Sequence, residues 1–224
     1  MMNKSRKAFI GGNPKYFTLF RNWAHQGFFY LDKTEMLYRV LWEVTPIFIL
    51  SSLNNFNNTF FYLTVVTIIV HTYNWITNDN FWAVFIHSLP NQKNPGEQAT
   101  IEYLTKMQKR LIASNAISAV LIYGSVTRSK WHDRSDIDIR FFRQKGVFNG
   151  LISYLILRRE RLIALLNKQP LDAYIADDIK FLKKMRDDEF PIFLKNSDLR
   201  ITKEYNTDYT TDFSKVKSIN NLSS

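Results

Sequence analysis

The sequence predicts an α+β protein, with an apolar helical N-terminal region followed by a sheet flanked by helices. Three observations carry that expectation. Between Val44 and Thr77 there is no Asp, Glu, Lys or Arg, and aromatic residues crowd the first 90 positions. From Glu97 onward, amphipathic helical patterns alternate with short apolar runs of strand length. Within this second part, SAVLIYGSVTRSKWHDRSDIDIR (118–140) leaves an apolar run through a polar, basic loop and enters a strand bearing two carboxylates.

With 224 residues the chain can form one generous domain or two small ones. Thirty Lys and Arg against 20 Asp and Glu give a formal charge of +10. That charge suits an anionic partner, whether nucleotide, nucleic acid or anionic lipid, and does not choose among them. The absence of cysteine excludes disulfides and thiolate metal sites, and fits a reducing cytoplasm.

The first 35 residues carry Lys4, Arg6, Lys7, Lys15 and Arg21, with a turn signal at Gly11-Gly12-Asn13-Pro14. No apolar core of adequate length follows the first basic residues, so no secretory signal peptide is expected. Residues 16–30 alternate aromatic and polar side chains, a pattern that suits a membrane surface or packing on the next helix.

Two apolar runs follow, Thr45–Leu53 and Phe60–Ile76, separated by the turn Asn54-Asn55-Phe56-Asn57-Asn58. A spanning helix wants about 20 apolar residues. The second run only approaches that length, and the first must borrow Met36–Glu43, which includes Arg39 and Glu43. Pro46 would bend that helix or sit in its first turn. Two readings stand: a hairpin that dips into or lies in one leaflet of a membrane, and the core helices of a soluble helical bundle. Basic residues before position 40 suit the cytoplasmic side, so the expected location is the cytoplasm, at the membrane face under the first reading. His71, Asn74, Trp75, Asn78 and Trp82 recur at helical spacing, so they share a face. They are expected to bond a neighbouring helix, or to form a binding face for a sugar or lipid headgroup. His71 lies too far along a continuous helix from His87 for the two to share a metal.

Residues 88–96 (SLPNQKNPG) read as a linker. Glu97–Ala113 is an amphipathic helix with Ile101, Leu104, Met107 and Leu111 on one side. Ala119–Tyr123 is a buried strand, and Ser135–Ile139 opens a second that continues through Phe142. Residues 147–167 read as a basic amphipathic helix, with Leu151, Leu155, Leu162, Leu165 and Leu166 inward and Arg158, Arg159, Arg161 and Lys168 outward. Leu171–Ala176 is a third strand, Asp177-Asp178 caps a helix through Ile179–Arg186, and Phe190–Leu194 is a last short strand. The tail from 205 is polar and loosely ordered by composition.

The chemistry concentrates at two places. Strand side chains alternate with period two, so Asp136 and Asp138 point the same way. Two carboxylates side by side repel and call for a cation between them, and a hard divalent ion such as Mg²⁺ prefers oxygen ligands. Gly124-Ser125, at the end of the preceding strand, can turn backbone N–H groups toward an anion, because glycine tolerates positive φ. Arg128 and Lys130 are placed to neutralise phosphate charge. Asp172 sits inside an apolar run, where a carboxylate is costly unless a cation compensates it.

Strand, Gly-Ser, spacer and Asp-x-Asp between apolar residues resemble the signature of the polymerase-β-like nucleotidyltransferase superfamily, above all its small bacterial and archaeal members. The resemblance covers residues 96–195. Small members often continue Gly-Ser with a short residue and then Ala-Arg-Gly; here Gly124-Ser125 is followed by Val126-Thr127-Arg128-Ser129, so Arg128 is kept and Ser129 stands at the glycine. The resemblance implies a nucleotidyltransferase-type mixed sheet flanked by helices over 96–200, after a helical region at 1–90 and before a tail at 205–224. It implies metal-dependent, two-metal transfer of a nucleotidyl group from a nucleoside triphosphate such as ATP to an acceptor hydroxyl. Asp136, Asp138 and Asp172 would hold Mg²⁺ or Mn²⁺, and Gly124 and Ser125 the triphosphate. Nucleic acid is not required, and an acceptor linked to a lipid or glycan would suit the apolar N-terminal region. The alternatives are a metal-dependent glycosyltransferase-like enzyme, which also uses Asp-x-Asp, a non-catalytic membrane- or partner-binding module, and the nucleotidyltransferase half of a toxin–antitoxin pair.

Overall fold

The computed structural model describes residues 15–53, 59–89, 91–128, 130–184, 191–204, 211–213 and 219. The turn signals at 11–14 and 54–58, Ser129 and most of the tail lie outside these residues.

The C-terminal part is a mixed sheet with helices against it. Strands β1 (Ile117–Tyr123), β2 (Ile137–Arg143), β3 (Leu171–Ala176) and β4 (Ile192–Asn196) stand in the order β3-β2-β1-β4, with the two-residue β5 (Thr211–Asp212) beyond β4. β1 is antiparallel to β2 and β4, while β2 and β3 run parallel. A parallel pair needs a crossover, which the long helix between β2 and β3 supplies. β1 is buried along its whole length, which explains its unbroken apolar sequence.

Each face of the sheet has its own core. Ile137, Ile139, Phe141, Leu171, Ala173 and Ile175 pack with Leu104, Met107 and Leu111 of one helix and Tyr154 and Leu157 of another. Leu121, Tyr123, Phe142, Ala176, Leu182 and Ile201 pack on the opposite face. From the tail, Phe213 and Ile219 join the first cluster.

Among the described residues the helices are α1 (Lys15–His25), α2 (Lys33–Ser52), α3 (Thr59–Asn78), α4 (Phe81–Ser88), α5 (Glu97–Ile112), α6 (Val147–Leu166) and α7 (Leu199–Glu204). α2 continues through Pro46. α2 and α3 pair with each other and both touch α6, while α2 and α4 also reach β3. The N-terminal helices are therefore packed along the β3 edge of the sheet.

Several expectations are corrected. The face that α6 buries is Tyr154, Leu157, Glu160, Arg161 and Ala164, whereas Leu155, Leu162 and Leu166 are exposed. Arg161, expected outward, is enclosed: it pairs with Glu35 of α2 at 2.8 Å and donates to the carbonyls of Asn78 and Ala173. The charge partner supplied by α2 overrides the leucine periodicity. The helical face from His71 to Trp82 is interrupted at Asp79-Asn80, so Trp82 belongs to α4. Four of its five members bond neighbouring elements: His71 to Glu43 and the Trp23 carbonyl, Trp75 to Asn22, Asn78 to Tyr154, Trp82 to the Leu165 carbonyl; the buried Asn74 Oδ1 has no partner among the described residues.

The segment after Asp178 is a 3₁₀ helix, Ile179–Lys184, and β4 starts two residues later than expected. Asp178 accepts the Lys180 N–H at 3.2 Å, as a cap should. Asp177 instead caps α2. Its Oδ2 accepts the Thr34 N–H at 2.9 Å, while the Asp177 N–H donates to Asp32 at 2.9 Å and Arg143 donates to Oδ1 at 2.5 Å. Burial acts to raise the Asp177 carboxyl, and these bonds together outweigh it, leaving the carboxyl below its ordinary value.

Candidate active site

The site forms where β1 ends and β2 and β3 begin. Asp138 and Asp172 are register partners on the parallel pair, and Asp136 precedes β2 by one residue on the same side as Asp138. One carboxylate oxygen from each of Asp136, Asp138 and Asp172 lies within 4.8 Å of the others. All three residues are half-buried.

Electrostatics make this arrangement costly without a cation. Burial first, then the negative charges of Asp136 and Asp172, push the Asp138 carboxyl well above the ordinary carboxylate range. The donor set is what a hard divalent ion takes. Three oxygens on one octahedral ion with bonds of about 2.1 Å stand roughly 3.0–4.2 Å apart, so carboxylates gathered within 4.8 Å need only a small closure to share one.

Gly124 closes the site from β1. Its φ is +79°, and a Cβ built there would stand 2.1 Å from Oδ2 of Asp138. Glycine is needed because the Asp138 carboxylate occupies the space where a side chain would be, a reason distinct from approach to an anion. The turn after it is tied down locally: Thr127 Oγ1 and Arg128 Nε donate to the Gly124 carbonyl at 3.1 and 3.2 Å, and the Lys130 N–H donates to the Ser125 carbonyl at 3.1 Å. Ser125 and Arg128 are half-buried and Lys130 is exposed. Gly124→Val is expected to displace the Asp138 carboxylate and weaken Mn²⁺ binding by calorimetry roughly tenfold or more. An unchanged affinity would show that Asp138 does not depend on this glycine.

Sequence reasoning missed the residues that the N-terminal helices bring. Asn80, between α3 and α4, donates to Oδ1 of Asp172 at 2.5 Å and accepts the Ala173 N–H at 3.3 Å. His87, near the end of α4, places Nε2 3.4 Å from Oδ2 of Asp136. The Asp136 hydrogen bond raises its imidazole above the ordinary value, against a smaller opposing effect of burial. Arg134 fixes that helix end by donating to the carbonyls of Ile86 and His87 at 2.7 and 3.2 Å. The 88–96 stretch is likewise stapled rather than free, since Asn94 donates to the carbonyls of His132 and Ser135. Arg140, two residues past Asp138 on the same face, places NH2 3.9 Å from Oδ2 of Asp172 and donates to the Asp172 carbonyl at 3.1 Å. Period-two alternation could have found Arg140; no local signal relates Asn80 or His87 to the acids.

No protein-family model matches the chain, and no curated protein matches it.

Proposed function

We propose that this chain transfers a nucleotidyl group from a nucleoside triphosphate to an acceptor hydroxyl at the Asp136–Asp138–Asp172 cluster, on a nucleotidyltransferase-type fold. The observation that carries the reading is the convergence of three carboxylates from two adjacent parallel strands beside a glycine that leaves room for one of them. Divalent ions such as Mg²⁺ or Mn²⁺, when bound, supply charge neutralisation for the triphosphate and acidify the acceptor hydroxyl. Asp136, Asp138 and Asp172 are the residues that would hold them.

In this reading the acceptor hydroxyl gives up its proton to solvent as its oxygen bonds to the α-phosphorus, the bond from the α-phosphorus to the β-phosphate oxygen breaks, and pyrophosphate leaves. The turn at Gly124-Ser125 and the basic side chains of Arg128 and Lys130 bind the triphosphate. Asp172 borders the acceptor side, oriented by the Asn80 amide and the nearby Arg140 guanidinium. The test separates binding from chemistry. Asp172→Ala is expected to keep triphosphate binding by calorimetry within about threefold while losing transfer by roughly a hundredfold or more, the several kcal/mol that a metal site contributes. A variant with wild-type transfer would remove Asp172 from the mechanism.

A further inference from the structure

We propose that the α2–α3 hairpin is a monotopic membrane anchor, inclined in the hydrocarbon of one leaflet. Four features point to lipid as its occupant. First, α3 exposes Phe60, Phe61, Leu63, Val65, Ile68, Ile69 and Tyr73, and buries only Val66, Val70, Asn74 and Asn78. At about 100° per residue the buried four line one stripe roughly 120° wide, and beyond it, toward the free end, Phe60, Phe61, Leu63 and Val65 spread over roughly 200° of the circumference. A groove or a second protein covers a single stripe of a helix, whereas apolar exposure on more than one side of the free end suits a surrounding apolar medium. Only 17 % of the most apolar stretch of α3 is buried, so the helix is not the core of its own fold. On α2, Val44, Phe48, Ile49 and Leu50 are exposed in the same way.

Second, four hydroxyls toward the free end of the hairpin are satisfied from within it. Ser51 donates to the Ile47 carbonyl at 2.6 Å, Ser52 to Ile49 at 2.7 Å, Thr64 to Phe60 at 2.9 Å and Tyr62 to Leu50 at 3.1 Å. Hydrocarbon offers no water to bond, so internal pairing is what such a medium demands.

Third, polar structure begins abruptly at one level. His71 bonds Glu43 at 2.6 Å and the Trp23 carbonyl at 2.9 Å. Trp23 Nε1 reaches Thr72 at 3.1 Å, and Trp75 Nε1 reaches Asn22 at 2.7 Å. The C-terminal end of helix α1 thus meets α3 at this level, with Phe17 and Phe20 exposed on α1. Indole rings with bonded N–H groups and an amphipathic helix are typical of the membrane–water boundary.

Fourth, the length fits. From Thr59 to Val70 the helix extends about 18 Å, against about 15 Å for half a hydrocarbon core. The sequence between the helices carries four asparagines, whose amides are costly in hydrocarbon, so an inclined hairpin fits better than one standing upright.

The test is flotation of the full chain with vesicles of phosphatidylcholine and phosphatidylglycerol. Wild type and Ile112→Asp, an exposed apolar position at the end of α5, are expected to float equally. The pair Phe60→Asp and Ile69→Asp should reduce the floating fraction at least tenfold with the circular dichroism melt unchanged. Asp138→Asn should float like wild type, so the anchor stands or falls apart from the catalytic reading. The proposal is overturned if wild type stays with the soluble fraction, or if the double variant floats undiminished. It is also overturned if wild type forms a detergent-free dimer that the double substitution dissociates, because the hairpin would then face a second copy.

Discussion

Asp138→Asn is expected to abolish transfer and, in metal-free buffer at neutral pH, to raise the melting temperature. The first effect follows from losing a ligand of a site worth several kcal/mol in the transition state, a loss of roughly a hundred- to a thousandfold. The second follows from the sign of the pKa shift. The Asp138 carboxyl is raised in the folded chain, so the folded state binds its proton more tightly than the unfolded one. Its favourable contribution is complete below the ordinary value near 3.8 and is lost as pH rises through the folded value. Metal-free wild type should therefore melt higher as pH is lowered from neutral toward that ordinary value, and the asparagine variant should lack this gain. Mg²⁺ should stabilise wild type by mass action and leave the variant unchanged. Glu35 and Asp177 act in a different window. Their carboxyls are lowered on folding, so their contributions are present above their ordinary values and fade only in stronger acid. A variant that melts below wild type at neutral pH without metal would mean that Asp138 is held by a favourable partner and is not awaiting one.

Glu35→Gln is expected to destabilise the fold by about 3–5 kcal/mol. The carboxylate is fully enclosed. Its Oε1 accepts from Arg39 Nε and NH2 at 3.2 and 3.0 Å and from Arg161 at 2.8 Å, while Oε2 accepts the Ile175 N–H at 2.8 Å. One side chain thus ties α2 to α6 and to the strand that carries Asp172. Burial acts to raise its pKa, and the charges of Arg161 and Arg39 outweigh it, leaving the carboxyl below its ordinary value. Glutamine keeps the volume but leaves two enclosed guanidinium groups with Asp79, 3.5 Å from Arg39, as the remaining acid. The melting temperature should fall by roughly 10 °C for a chain of this size. Glu35→Gln with Arg161→Met should cost less than the sum of the single changes, because the second removes one orphaned charge. A loss under about 1 kcal/mol would show that the network contributes little beyond packing.

The acids of the site were legible because each is a local anomaly. Asp136 and Asp138 share a strand face by period two, and Asp172 interrupts an apolar run that would otherwise exclude it. Both signals survive without knowledge of the fold. The inward face of α6 was not legible, because its leucines define an apolar stripe while its true neighbours are chosen by Glu35 and Asn78 from helices far away in the chain. A buried arginine looks like a solvated one until its partner is known. Asn80 and His87 were hidden for the same reason: their contacts to Asp172 and Asp136 exist only once α3 and α4 pack along the β3 edge. Asp177 shows a subtler failure. An acidic residue before a helical stretch does cap a helix, but the N–H that it accepts belongs to Thr34 at the start of α2.

The most direct measurement follows the label. The full chain is incubated with Mg²⁺ and each nucleoside triphosphate carrying a label at the α- or the γ-phosphate, in the presence of vesicles and a soluble extract as sources of acceptor. The α-label of one triphosphate is expected to become attached to an acceptor and the γ-label to leave as pyrophosphate, with both events requiring Asp136, Asp138 and Asp172. Attachment of the γ-label would mean phosphoryl transfer, and attachment of neither label with any of the triphosphates would contradict nucleotidyl transfer at this site.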